Sequence, residues 1–211
     1  MRTLLFCTAY AQNIDVWNFR YKIWYEFYQS LELGEVQIYD DASSTRPDYL
    51  SEKEFVSFLE RLGRQGLYSY PGWYRSFSSA IAFAYKNHFD KIIHVESDAY
   101  ILSKELISFV REISSGWNVL WCPRHNLPES AIQIIGKDEI PSAYAFTRKP
   151  YSDYRGQCLD QILPYTSIHT RFVGDRYGEF SESIPLEADF SCQTSSSMIQ
   201  NWIREKNCLT R

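Results

Sequence analysis

The sequence predicts an α/β fold with a mostly parallel central sheet flanked by helices. Three observations predict it. Short apolar runs at residues 3–10, 35–40, 91–95 and 118–122 alternate with stretches of helical period. The first run, TLLFCTAY, is apolar almost throughout, as a strand covered on both faces requires. Breakers such as Gly34, Gly63 and the pair Pro71-Gly72 fall between the segments.

The elements follow in order. Residues 15–30 place Val16, Phe19, Ile23 and Phe27 at helical spacing, which predicts an amphipathic helix with these four inward. Residues 35–40 (EVQIYD) alternate as a strand and run into the polar loop Asp41-Ala42-Ser43-Ser44. Residues 51–62 read as a second helix, with Phe55, Phe58, Leu59 and Leu62 on one face and Gly63 as its stop. Residues 72–86 read as a third, rich in small residues. KIIHV at 91–95 is the clearest strand and ends in Glu96-Ser97-Asp98. Residues 103–113 form a helix capped by Ser103, with Leu106 facing in, before the strand at 118–122. Beyond Pro123 the pattern loosens, with prolines at 128, 141, 150, 164 and 185. Strands are expected near 131–135 and 142–147, and a helix near 157–163.

Length and composition narrow the classes. The 211 residues suit one domain and can bury a full core. The net charge of −4 argues against a dedicated nucleic-acid binder. No apolar run approaches the ~18 residues that span a membrane. The start resembles a signal peptide only through Ala9-Tyr10-Ala11 and is too short for one. Five cysteines without a CxxC pair predict reduced thiols and a cytoplasmic location. Aromatics reach 17%, enough for a well-packed core and for surfaces that grip sugar rings.

Ligands of open α/β sheets bind at the carboxyl ends of strands. Here those ends carry Thr8-Ala9-Tyr10, Asp40-Asp41 and Glu96-Ser97-Asp98. Acidic strand ends converging on one crevice need a cation or donors between them. Carboxylate oxygens suit Mg2+ or Mn2+, which would hold a diphosphate. The chain carries no GxGxxG, GxxxxGK[ST] or GxSxG, which weighs against a Rossmann dehydrogenase, a P-loop enzyme and an α/β-hydrolase.

TLLFCTAY, IYDDASS and the stretch YPGWYRSFSSAIAFAYKNHFDKIIHVESDAYIL together resemble GT-A-type nucleotide-sugar glycosyltransferases, the small capsid-glycosylating domains of chlorella viruses among them. The segment ESD is similar to the family's DxD, with Glu96 in place of the first aspartate. The resemblance implies a metal-dependent transferase using a UDP-sugar. It divides one domain, 1–211, into a nucleotide-sugar-binding half, 1–122, and a looser acceptor-binding half, 123–211. Thr8, Ala9 and Tyr10 would line base and ribose, and Asp40 and Asp41 would accept hydrogen bonds from uracil or ribose. Asp98 would bind the metal, Glu96 the metal or ribose beside Ser97, and Arg75 would face the phosphates or the donor sugar. Glycan or glycoprotein is the implied acceptor.

Cys158 to Leu163 (CLDQIL) resembles the D-Q helix start of glycogenin-like and xylosyltransferase-like retaining families. That resemblance implies Asp160 beside the reacting sugar, His169 as a further metal ligand, and a tilt toward retention. Asp153, Asp175, Glu179, Glu187 and Asp189 are other candidate carboxylates. The aromatics Tyr144, Phe146, Tyr151, Tyr154, Tyr165, Phe172 and Tyr177 are candidates for stacking on acceptor sugars. His94, inside a strand, reads as a core residue. The competing functions are a nucleotidyltransferase on a sugar phosphate, disfavoured because AYAQNID lacks a basic glycine-rich loop, and a non-catalytic carbohydrate-binding module.

Overall fold

A computed structural model describes residues 1–209, side chains excepted at Leu159, Asp160 and Leu209. The chain runs from β1 (Thr3–Ala9) into α1 (Ile14–Val16), a π-helical turn (Trp17–Tyr21) and α2 (Lys22–Leu31). Next come β2 (Glu35–Asp40), β3 (Phe55–Ser57), α3 (Pro71–Lys86), β4 (Lys91–Val95), β5 (Tyr100–Ile101) and α4 (Lys104–Glu112). The second half holds β6 (Trp117–Cys122), β7 (Leu127–Gly136), α5 (Ile140–Thr147), α6 (Leu159–Ile162), β8 (Ser167–His169), β9 (Gly174–Asp175), β10 (Phe190–Ser191) and α7 (Ser196–Leu209).

The central sheet has seven strands in the order β3-β2-β1-β4-β7-β6-β8. Only the pairings of β7 with β4 and β6 are antiparallel; the other four are parallel. The expected α/β class, with a mostly parallel sheet between helices, is the one found. A small second sheet, β5-β10-β9, stands beside it.

The period of two in β1 divides the core. Leu4 and Phe6 join Phe77, Ala80, Ile81 and Ala84 of α3 on one face. Leu5, Cys7 and Ala9 join Trp24 and Tyr28 of α2, Leu106 and Val110 of α4, and Ile199 of α7 on the other. Both faces of β1 are covered, so all seven of its residues are buried.

Several sequence-based expectations are corrected. The first helix buries an adjacent stripe most deeply: Trp17, Tyr21, Trp24 and Tyr28 are buried, the expected Val16, Ile23 and Phe27 are half-buried against the same core, and Phe19 alone of the four is exposed, at 66%. The π-helical turn rotates the spacing there, and the amphipathic rings of Tyr21 and Tyr28 find hydrogen-bond partners inside. No helix spans 51–62; the segment gives the edge strand β3 and a loop on which Leu59 is fully exposed. Pairing Phe55, Val56 and Ser57 with Ile38, Tyr39 and Asp40 satisfies backbone groups along the outer edge of β2, which a helix over 51–62 would leave unpaired. Residues 142–147 are helical, within α5, because the chain packs there against α3 instead of extending the sheet.

Lys91 is a buried charge that opens β4. Its Nζ donates to the carbonyls of Val110 at 2.7 Å, Arg111 at 2.9 Å and Ile113 at 3.0 Å, where α4 ends. A cation fits the negative end of a helix dipole and satisfies its orphan carbonyls. Lys91→Met leaves these carbonyls buried without a donor. It should lower the unfolding free energy by about 2–4 kcal/mol, measured by urea melts.

Candidate active site at the carboxyl ends of β1 and β4

β1 connects to β2 on one side and pairs with β4 on the other, so the chain reverses its winding between β1 and β4. Such a switch point leaves a crevice beyond the strand ends. A cavity of about 270 Å³ lies there, lined by Thr8, Ala9, Tyr10, Glu96 and Ser97 from the two strand ends. Tyr21 fixes the first end, accepting from the Tyr10 amide at 2.9 Å and donating to the Tyr10 carbonyl at 3.2 Å. A second cavity of about 430 Å³ adjoins it, lined by Asp98, Tyr68, His125 and, beside the bulge in the β6–β7 pairing, Glu129 to Ala131. Tyr70, Trp73 and Glu96 belong to both.

Glu96 is the boundary group. It accepts from Thr8 Oγ1 at 3.1 Å and from the Trp73 indole. Burial first, and then the Asp98 carboxylate, push its pKa up to about 7. His94 Nε2 lies 3.4 Å from Glu96 Oε1. Burial lowers the His94 pKa to about 3, so the ring is neutral and packs among Phe6, Phe77 and Trp73.

Asp98 pairs with Arg20, whose Nη2 lies 3.0 Å from Oδ2 and whose Nε donates to Ser97 Oγ at 2.8 Å. The other Asp98 oxygen has no hydrogen-bond partner among the described residues. One carboxylate facing a cavity fits a hard cation whose remaining ligands are phosphate oxygens and water. A cage of protein side chains does not fit. Among the described residues no three His, Cys, Asp or Glu stand close enough to hold a metal ion.

The other expected site residues are placed as follows. His169 lies on β8, three strands from β4 in the sheet order, and lines neither cavity. Its Nε2 meets Asn118 Oδ1 at 3.0 Å and its ring packs on Phe109. Asp40 is fully buried and lines neither cavity. It accepts from the Ser43 amide at 2.8 Å and from the hydroxyls of Ser43 and Ser57, and burial raises its pKa. Asp41 reaches the wall of the first cavity, but its oxygens are taken by the amides of Leu62 at 3.3 Å and Gly63 at 2.6 Å and by Arg75. Arg75 therefore does not face the crevice. It lines a separate groove on the far side of α3, with Tyr144 and Tyr151.

That groove also accounts for part of the late tyrosine cluster. Tyr144 stacks on Tyr85 with centroids 4.4 Å apart, and Tyr154 is buried against Phe146. The rings at the second cavity are instead Tyr68, Tyr70 and Trp73. Asp160 lies on α6, and its side chain is outside those described; Cys158, just before α6, lines the second cavity. Of the other carboxylates, Asp175 pairs with Arg124, Glu179 with His125, and Asp189 accepts from the Val173 amide. Sequence reasoning missed Arg20, Arg61, Arg64 and Trp73, all on the first cavity. Arginines on a helix and a polar loop carry no signal until the fold turns them toward one space.

The raised pKa of Glu96 has a signed consequence. Between pH 4.5 and 7 the folded state binds the proton that the unfolded state releases, so stability falls as pH rises through that window. In chelator, Glu96→Gln should gain on the native protein by up to about 3 kcal/mol from pH 4.5 to 7.5, read by thermal melts at each pH. Parallel pH profiles would contradict the assignment.

No protein-family model and no curated protein matches the chain. Among solved structures it is similar to the crystal structure of a glycosyltransferase involved in the glycosylation of the major capsid of PBCV-1. The TM-score is 0.50 at 10% sequence identity, over 99% of this chain and 100% of that one. The likeness therefore runs through both halves, and the fold of this chain is the fold of that glycosyltransferase.

Proposed function

We propose that the chain is a glycosyltransferase that moves a sugar from a UDP-sugar to a glycan or glycoprotein acceptor, aided by Mn2+ or Mg2+. One observation carries the reading: two adjoining cavities at the carboxyl ends of β1 and β4 share the wall Tyr70, Trp73 and Glu96. The first suits a nucleotide diphosphate, with the Tyr10 and Tyr21 rings for base and ribose. The second suits the donor sugar and the acceptor, with Tyr68, Tyr70 and Trp73 offering ring faces to sugar C–H groups. The fold shared with a capsid glycosyltransferase supports the reading, a capsid protein being one acceptor of the glycoprotein class.

The residues divide the work. Asp98 would hold the cation, which when bound supplies positive charge to the departing diphosphate. Arg20, held between Ser97 and Asp98, adds a fixed cationic group at the same place. Asp160 is the carboxylate assigned to the reacting sugar, with retention of configuration. Among the described residues no helix is long and apolar enough to cross a membrane. Among the described residues no disulfide joins two cysteines, which suits a cytoplasmic setting.

A donor-hydrolysis screen across UDP-, GDP- and dTDP-sugars with Mn2+ tests the donor, and UDP-sugars should lead. Asp98→Ala should lower transfer by at least about 100-fold and remove the Mn2+ enhancement of UDP binding in calorimetry. Undiminished transfer in that variant sinks the reading.

A further inference from the structure

Residues 58–70 leave the sheet after β3 and return to α3 across the mouth of the first cavity. They are tied down before any ligand arrives. The buried Asp41 accepts from the Leu62 and Gly63 amides. Arg75, clamped on Asp41, also donates to the Glu60 carbonyl at 2.5 Å and lies over the Phe58 ring at 4.1 Å. The Gly72 amide donates to the Gly63 carbonyl at 3.0 Å. Gly63 sits at φ +59°, and a Cβ on Gly72 would lie 2.2 Å from Asp41 Oδ2, so both positions suit glycine.

This tied segment carries Arg61 and Arg64, and both line the cavity opposite Arg20. The Arg61 guanidinium lies 3.7 Å from the Tyr10 ring centroid and that of Arg64 4.8 Å from Tyr70. Arg64 also donates to the carbonyls of Gly66 at 3.0 Å and Leu67 at 3.2 Å. Among the described residues neither makes an ion pair, whereas Arg2, Arg20, Arg75, Arg124 and Arg176 each hold a carboxylate. Two guanidiniums held over ring faces, without a carboxylate, at the edge of a cavity form a site for an anion with paired oxygens.

We propose that residues 58–70 are a pre-tied phosphate-binding loop, in which Arg61 and Arg64 take the diphosphate of the nucleotide and Asp41 is the positioning residue. The proposal rests on the reading of the first cavity as a nucleotide site. It assigns Asp41 a task other than contact with the base: its charge orders the loop amides and Arg75, and the loop then presents the two cationic groups.

Calorimetry of the whole chain with uridine, UMP and UDP tests it. Native affinity should climb at each added phosphate. In the double variant Arg61→Ala/Arg64→Ala, UDP affinity should fall by about 100-fold or more, while uridine affinity moves less than about threefold. Arg61→Lys/Arg64→Lys should recover part of the loss, because charge returns without the planar fork. Asp41→Asn should weaken UDP about tenfold and leave uridine unchanged, which general loss of packing would not do. UDP affinity within about threefold of native in the double variant overturns the loop assignment alone. A native chain that binds none of the three overturns both the assignment and the nucleotide reading beneath it. The double variant alters only exposed side chains, so the outcome does not depend on whether Asp41→Asn folds.

Discussion

The structure is organised by the parallel pairing of β1 with β2 on one side and β4 on the other. Buried on both faces, β1 can pair only in a register that sends Leu4 and Phe6 toward α3 and Leu5 and Cys7 toward α2 and α4. A one-residue slip would exchange the two sets between differently shaped cores. That register brings Ala9 level with Asp40 and Phe6 level with His94. The strand ends then meet at one height, and Thr8 reaches Glu96 across the gap. The crevice is therefore a consequence of core packing and not a separate construction.

Around it, carboxylates of similar sequence appearance are sorted by their surroundings. Asp40 is enclosed by serine hydroxyls and an amide and closes the turn after β2. Asp41, its neighbour, points the other way and organises a loop and an arginine. Glu129 is buried in a two-pronged pair with Arg176, 2.7 Å at the closer contact, and braces the second cavity. Among the described residues, Glu96 and Asp98 combine a cavity-facing position with partners that leave an oxygen or a proton in play. Burial of a charge demands a partner, so the partner reports what the charge is for.

Much of the first half was legible. KIIHV is a strand to the residue, and the Ser103 cap is formed, with Ser103 Oγ accepting from the Leu106 amide at 3.0 Å. Such features are local: an apolar run or a capping side chain acts on its own backbone. The failures share the opposite property. Residues 51–62 have helical spacing, yet β2 offered them a free edge. Phe19 fits the apolar stripe, yet a π-helical turn carries it outward. Arg75 sits on the expected helix, yet Asp41 draws it away from the crevice.

The sequence by itself determined the α/β class, the acidic strand ends and the position of the ESD turn, because apolar periodicity and strand-end chemistry are written in neighbouring residues. Tertiary structure alone decided which acids face the cavities, that His169 lies on a distant strand, and that Arg20, Arg61 and Arg64 converge on one space. Those outcomes depend on side chains from separate elements competing for the same partners, and that competition begins only when the chain is folded.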